Sequence, residues 1–206
     1  MIMRIVAVLL GAYLLGALPV GYLIVKWTKG VELTRLGSGH TGGTNALRVA
    51  GALAGGLTVV FDFAKGLAAV VLAERYAAGV PGEAWVLSLA GLLTVVGHNY
   101  SVFLKFNGGV GTMTSLGAGV ALMFSGTLAA WGLGFALIIL TRYASLGSLS
   151  IAAALPVACL IGAAVGAWPY QYLAFAVGAG VLSIYALRAN IARLLRGTER
   201  KVGQRA

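Results

Sequence analysis

Cysteine occurs once in this chain, at Cys159, and histidine twice, at His40 and His98. A single thiol excludes an intramolecular disulfide and a cysteine cluster for a metal. Two imidazoles with no acidic or thiol ligand near them in sequence make a poor metal site, and none is expected. Charge is scarce too: 10% of the 206 residues are Asp, Glu, Lys or Arg, where a soluble domain carries about 25%. What fills the chain is apolar, 60% of residues at a mean hydropathy of +0.94, so water is not the solvent for most of its surface. A bilayer core about 30 Å thick needs roughly 20 apolar residues per helix, which leaves length for about six or seven crossings in one integral membrane domain over 1-206 and no separate soluble domain. The 31 glycines fit close helix packing in lipid.

The apolar residues fall into runs. Ile5 to Val25 is too long for a signal-peptide core and is stopped by Lys26 and Lys29 without a convincing cleavage site, so a retained helix is expected. Further candidates are Val49 to Leu72, Ala84 to Val96, Leu149 to Ala167 and Tyr170 to Ala186, with one long stretch from Gly111 to Leu140. The Ala84 run is short for a crossing unless it extends backwards through Pro81. Positive charge gathers at Lys26, Lys29, Arg35 and Arg48, and again at Arg188, Arg193, Arg196, Arg200, Lys201 and Arg205. The positive-inside rule wants both groups in the cytoplasm. A single crossing by Gly111 to Leu140 would separate them, whereas two short crossings turning around Ser125 and Gly126 bring them together. The expected fold is therefore all-α: a polytopic transmembrane helix bundle of seven spans, N-terminus outside and C-terminus cytoplasmic. Arg4 dissents, and the other outside loops carry little besides Glu74, Arg75 and Glu83. Segments of about 26-48, 97-112, 141-148 and 187-206 then share the cytoplasmic face, where any polar site must be built.

The first of these reads Gly37-Ser38-Gly39-His40-Thr41-Gly42-Gly43-Thr44-Asn45-Ala46-Leu47-Arg48 and runs into an apolar helix. Glycines let consecutive N–H groups turn inward around an anion, the hydroxyls of Ser38, Thr41 and Thr44 add donors, and Arg48 offers a bidentate fork to phosphate. A hydroxyl-capped glycine turn is the plainer alternative. The second segment runs from Gly97-His98 through Lys105 to Asn107-Gly108-Gly109-Val110-Gly111-Thr112; it lacks the Gly-Lys-Ser/Thr ending of a nucleotide P-loop, which excludes ATP hydrolysis. Asp62 and Lys65, one helical turn apart, can face each other inside the membrane, either as a structural ion pair or as a polar wall of the site. The tail from Leu187 mixes arginine with apolar residues at helical spacing, a pattern that suits anionic lipid or phosphate capture. Nucleic acid is not an expected partner despite the +10 charge, because the basic residues hug membrane ends.

These segments together resemble the bacterial acyl-phosphate:glycerol-3-phosphate acyltransferases over nearly the whole chain. Gly37 to Asn45 with Arg48 is similar to that family's first motif, and Asp62-Phe63-Ala64-Lys65-Gly66 to its Asp-x-x-Lys-Gly signature. Gly97-His98 through Phe103-Leu104-Lys105-Phe106 to Gly108-Gly109 resembles the second motif. Arg142 to Ser148 is similar to a further stretch, and Arg188, Asn190, Ile191, Arg193, Leu194, Gly197 and Glu199 to the last motif. The chain departs from the pattern at His40 for Asn, at Asn107 and Val110 for two lysines, and at Leu187 for His. The missing positive charge then has to come from Lys105, Arg142 or a tail arginine, or activity is reduced.

The resemblance implies transfer of a fatty acyl group from acyl phosphate to the 1-hydroxyl of glycerol 3-phosphate, giving lysophosphatidic acid and phosphate without coenzyme A, metal or other cofactor. It implies a multi-pass protein of the bacterial inner membrane, surrounded by lipid, with its site facing the cytoplasm; a monomer is expected. Ser38, Arg48 and Asn190 are the expected catalytic residues. Gly39, His40, Thr41, Gly42, Gly43, Thr44, Asn45, His98, Lys105, Gly108, Gly109, Arg142, Ser145, Arg188 and Arg193 are expected to bind substrate. Loop-one N–H groups or Asn45 could face the developing oxyanion. His98 has a suitable unperturbed pKa for a general base but no carboxylate adjacent in sequence to orient it, so a structural or phosphate-contacting role is favoured. A catalytically impaired phosphate or phospholipid binder is the main rival, and a transporter of a small phosphorylated solute a weaker one, because the glycine motifs sit at helix ends rather than at the bilayer midplane.

Overall fold

The computed structural model describes residues 1–204, so Arg205 of the basic tail lies outside the described residues. The first apolar run forms α1 (Ile2–Ala17) and α2 (Val20–Lys29), broken at Pro19. Proline cannot donate to the helical ladder and pushes the residue before it out of the helical region; Leu18 has ψ 115°. The carbonyls freed at this break accept side-chain donors from elsewhere in the bundle. Ser101 Oγ donates to Ala17 O at 2.6 Å and Lys65 Nζ to Leu18 O at 3.2 Å.

A short helix α3 (Gly43–Ala50) packs on α4 (Ala52–Ala77). The next helix, α5 (Glu83–Asn99), does not reach back through Pro81: left-handed Gly82 precedes it, and it gains its length forwards instead. The long apolar run divides into α6 (Thr112–Leu122) and α7 (Phe124–Thr141), and the break falls at Met123, just ahead of the expected Ser125 and Gly126. After α8 (Ala144–Ala164) come α9 (Tyr172–Ala186) and, beyond a 60° bend, α10 (Arg188–Leu195). Five units, counting α1 and α2 together, are long and apolar enough to cross a membrane, or six if α9 and α10 form one bent span. With 11 residues, α6 is about 16 Å long and shorter than the bilayer core.

Glycines allow the helices to touch backbone to backbone. A side chain at Gly16 would strike the Thr94 carbonyl and one at Gly97 the Tyr13 carbonyl, which joins α1 to α5 at two points. Gly66 and Gly117 do the same between α4 and α6, against the Thr114 and Phe63 carbonyls. Phe175, Leu155, Val70 and Val95 fill the centre, while Phe61, Leu133, Phe135, Leu140, Leu160 and Val181 point outwards and stay exposed. Such an apolar exterior is a surface for lipid, and the helices satisfy their own backbone polar groups as a hydrocarbon environment demands.

The connections at one end of the bundle are stitched together. The Thr41 N–H donates to Gly108 O at 3.2 Å, and Val202 N–H to Arg142 O at 2.7 Å. Ser145 Oγ donates to Glu199 at 2.9 Å. These contacts gather loop one, loop two, the α7–α8 turn and the tail around a common opening.

Candidate active site

Loop one is wrapped around Asn45, which is 2% exposed. Its Nδ2 donates to Leu36 O at 3.0 Å and His40 O at 2.9 Å, with a longer contact to Leu33 O, while Oδ1 accepts the Ser38 N–H at 3.0 Å. An amide so committed has no donor left for an oxyanion, so Asn45 shapes the loop rather than contacting a reacting atom. Gly37 has φ 62°, and a Cβ there would collide with Asn45 Oδ1, so the wrap depends on glycine. The loop curls over the start of α3, where the N–H groups of Gly43 and Thr44 have no partner among the described residues. A helix start with open N–H groups is suited to an anion.

These groups open into a cavity with about 150 Å³ of room for water-sized molecules. Loop one contributes Ser38, His40, Gly42, Gly43, Thr44 and Asn45, and α3 adds Arg48. Across from them stand Asp62 and His98, then Ser145 and Ser148 of α8, and Asn190 with Glu199. One side is apolar, formed by Val59, Met113 and Ile138, and Val110 and Leu187 also reach the wall. An adjoining cavity of about 90 Å³ is lined by Gly37, Ser38, Arg48, Arg193, Glu199 and Arg200. Ser38, Arg48 and Glu199 border both spaces.

Arg48 reaches Arg200 O with Nη2 at a long 3.5 Å, and its buried Nε has no partner among the described residues. Burial, together with Arg200 and Arg193, lowers its pKa, while Glu199 opposes the shift. A guanidinium nevertheless stays charged in proteins, so a half-buried cation with open donors faces the cavity. His40 is also held below its ordinary value, chiefly by burial and further by His98, Arg188 and Arg193, against the Gly108 carbonyl. Burial thus favours its neutral form.

Glu199 accepts hydrogen bonds from Asn190 Nδ2 at 2.7 Å, Arg193 Nε at 2.7 Å and Ser145 Oγ at 2.9 Å. Burial pushes its carboxyl up, but these three donors and the Arg193 charge outweigh that and leave it below the usual range. Asp62 and His98, which also line the cavity, form a buried cluster with Lys65. Lys65 Nζ lies 2.9 Å from Asp62 Oδ1 and 2.7 Å from His98 Nδ1, and Asp62 Oδ1 lies 3.4 Å from that same nitrogen. The carboxylate absent from the sequence neighbourhood of His98 is thus supplied by α4.

Several expected substrate contacts line neither cavity. Thr41 is buried and ties loop one to Gly108, while Gly39 has φ 77° in the turn. Gly109 gives its N–H to His98 O at 3.0 Å, so the loop-two turn does not present that group to an anion. Lys105 is exposed at a left-handed bend with φ 53°, and Asn107 bonds its own loop. Arg142 donates from Nη2 to Val202 O at 3.2 Å, and Arg188 stacks over Tyr185 at 4.4 Å. Of the residues that could replace the missing lysines, Arg193 and Arg200 of the tail line the second cavity, while Lys105 and Arg142 line neither. Thr112 and Glu199 are among the wall residues absent from the expected site. Thr112, whose Oγ1 is buried without a partner, carries no local signal. Glu199 matched the last motif, but an acid beside a phosphate site reads as repulsive until its three donors are in place.

The family model described as glycerol-3-phosphate acyltransferase matches residues 6–197. A glycerol-3-phosphate acyltransferase of Synechococcus sp. is 41% identical over 196 residues, covering 95% of this chain and 94% of its own. One of Shouchella clausii is 38% identical over 205 residues, covering 100% and 99%. The crystal structure of PlsY (YgiH), an integral membrane glycerol 3-phosphate acyltransferase, in its glycerol 3-phosphate form, is similar at a TM-score of 0.86 and 37% identity, covering 97% of this chain and 96% of that one. Its lysophosphatidic acid form is similar at 0.82 and 36% identity, covering 96% and 94%.

Proposed function

Because the chain belongs to the glycerol-3-phosphate acyltransferase family, we propose that it transfers a fatty acyl group from acyl phosphate to the 1-hydroxyl of glycerol 3-phosphate in phospholipid synthesis. The observation that carries this reading is the pair of adjoining cavities sharing Ser38 and Arg48, with open helix N–H groups on one wall and an apolar side at Val59, Met113 and Ile138. Two anionic heads need donors, and an acyl chain needs an apolar exit. The new ester bond forms between the acceptor oxygen and the acyl carbon as the acyl carbon–phosphate oxygen bond breaks. The departing phosphate takes the hydroxyl proton, so no protein nucleophile is needed. Acyl phosphate is already activated, and holding it against the hydroxyl supplies much of the acceleration.

Ser38 and the Gly43 and Thr44 N–H groups hold one phosphate; Arg48, Asn190 and Arg193 hold the other, with His40 and Ser145 nearby. The site opens to the cytoplasm. Seven crossings, with α6 and α7 as a short pair, put the N-terminus outside and the C-terminus inside a bacterial inner membrane. Segments 26-48, 97-112, 141-148 and 187-206 then carry Lys26, Lys29, Arg35, Arg48, Arg142 and the tail cations to the inner face, which the positive-inside rule supports. The protein acts as a monomer, with no cofactor. Removing a transition-state donor costs about 100- to 1,000-fold in turnover. Ser38→Ala and Arg48→Ala, assayed for lysophosphatidic acid in the purified protein, are expected to fall by that order. Wild-type turnover in both would refute the assigned site.

Val110 and Leu187, both apolar, line the cavity, and they favour a second reading, a binder with impaired catalysis. Phosphate-dependent thermal stabilisation without product formation distinguishes it.

A further inference from the structure

The Asp62–Lys65–His98 cluster is the least explained group near the cavity. Its three members are 3%, 6% and 6% exposed and come from two different helices. An ammonium has three N–H donors and no acceptor. Lys65 Nζ has three acceptors around it: Asp62 Oδ1 at 2.9 Å, His98 Nδ1 at 2.7 Å and Leu18 O at 3.2 Å. The last is available because Pro19 breaks the helix there. With each proton of Lys65 assigned, His98 Nδ1 has to accept. A proton on Nδ1 would instead point at the ammonium across the shortest contact in the cluster, and the alternative acceptor, Asp62 Oδ1, lies farther off at 3.4 Å.

The ring's single proton therefore sits on Nε2. That nitrogen has no hydrogen-bond partner among the described residues, and His98 lines the cavity. Gly109 lies against this edge, where a Cβ would collide with Nε2, so glycine leaves the donor its space. We propose that His98 serves the site as a fixed Nε2–H hydrogen-bond donor to a phosphate or carbonyl oxygen of the substrates, and that Lys65 and Asp62 are positioning residues that lock it in that form. The inference rests on reading the cavity as the acyl-transfer site. It also excludes His98 as the proton acceptor, because the lone pair a base would use is already occupied by Lys65.

The chain's two histidines make a direct measurement possible. Protein labelled with ¹⁵N-histidine in detergent or nanodiscs, with His40→Asn for assignment, is expected to show His98 with a protonated Nε2 and a bare Nδ1. Lys65→Met is expected to abolish that single tautomer. Adding glycerol 3-phosphate or inorganic phosphate is expected to shift the Nε2 resonance. Turnover is expected to drop about 100-fold in His98→Ala and to recover in His98→Gln, whose amide N–H can take the place of the Nε2–H. A proton on Nδ1 in the wild type overturns the lock. No ligand-dependent shift, or a folded His98→Gln as slow as His98→Ala, overturns the donor role. A shifted Nε2 resonance in a protein that forms no lysophosphatidic acid refutes the acyltransferase reading and leaves the donor standing.

Discussion

Glu199 places a negative charge beside donors meant for phosphate, and its three hydrogen bonds explain the arrangement. It fixes Asn190, Arg193 and Ser145 relative to one another before any ligand arrives. Glu199→Gln keeps the shape but loses the charge, and hydrogen bonds to charged groups contribute about 1.5–3 kcal/mol. Thermal unfolding should show a loss of that order. The carboxyl's folded pKa is lowered, so its stabilisation is complete above the ordinary value of 4.5 and is lost as pH falls through the lower folded value. His40 adds a second acid-sensitive step at higher pH. Its folded pKa lies below 6.5, so the unfolded chain binds the proton first and stability declines as pH drops beneath 6.5. His40→Asn should lessen the decline in melting temperature across pH 5 to 7 without abolishing it, because His98 is buried as well. Residue types in loop one were legible in the sequence, but their division of labour was not. Asn45 and Ser38 are both small polar groups in a glycine-rich run, and the curl of the loop alone decides which one turns inward. Lys105 and Arg142 line neither cavity, and a cation near a motif signals charge in the sequence without giving its direction.

Helices followed the apolar runs closely, and the departures have local causes. Pro19 cuts the first run, left-handed Gly82 keeps α5 from extending back through Pro81, and Met123 divides the longest run. Hydropathy over a window averages across a single proline, so the break at Pro19 was hidden; the division of the longest run was expected from the charge distribution, and only its place at Met123 was not. Glycine composition pointed to close helix contacts without naming them; in the fold, particular pairs stand out. Gly97→Ala would press a methyl into the Tyr13 carbonyl, whereas Gly132 has nothing within 4 Å. Overpacking of this kind costs about 1–3 kcal/mol. Gly97→Ala should lower the melting temperature in detergent clearly, and Gly132→Ala should leave it unchanged.

At the scale of the whole molecule, the gathering of loop one, loop two, the α7–α8 turn and the tail at one end is what joins distant motifs into a site. Parity of charge and hydropathy led to the expectation that these segments share the cytoplasmic face, because two basic clusters on opposite faces would violate the distribution expected of a membrane protein. Cys159, the single and buried cysteine, leaves the surface free for single-cysteine labelling. Thr44→Cys and Thr198→Cys should react from the cytoplasmic side, and Gly82→Cys from the opposite side. Reaction of Thr44→Cys and Thr198→Cys from different sides would dismantle the shared pocket. Chemistry at that pocket has a simple stoichiometry. Purified protein given acyl phosphate and glycerol 3-phosphate, with a chelator present and no coenzyme A, is expected to release one phosphate for each lysophosphatidic acid formed. Phosphate released without lysophosphatidic acid, or ester formed from a coenzyme A thioester alone, would contradict acyl transfer at this site.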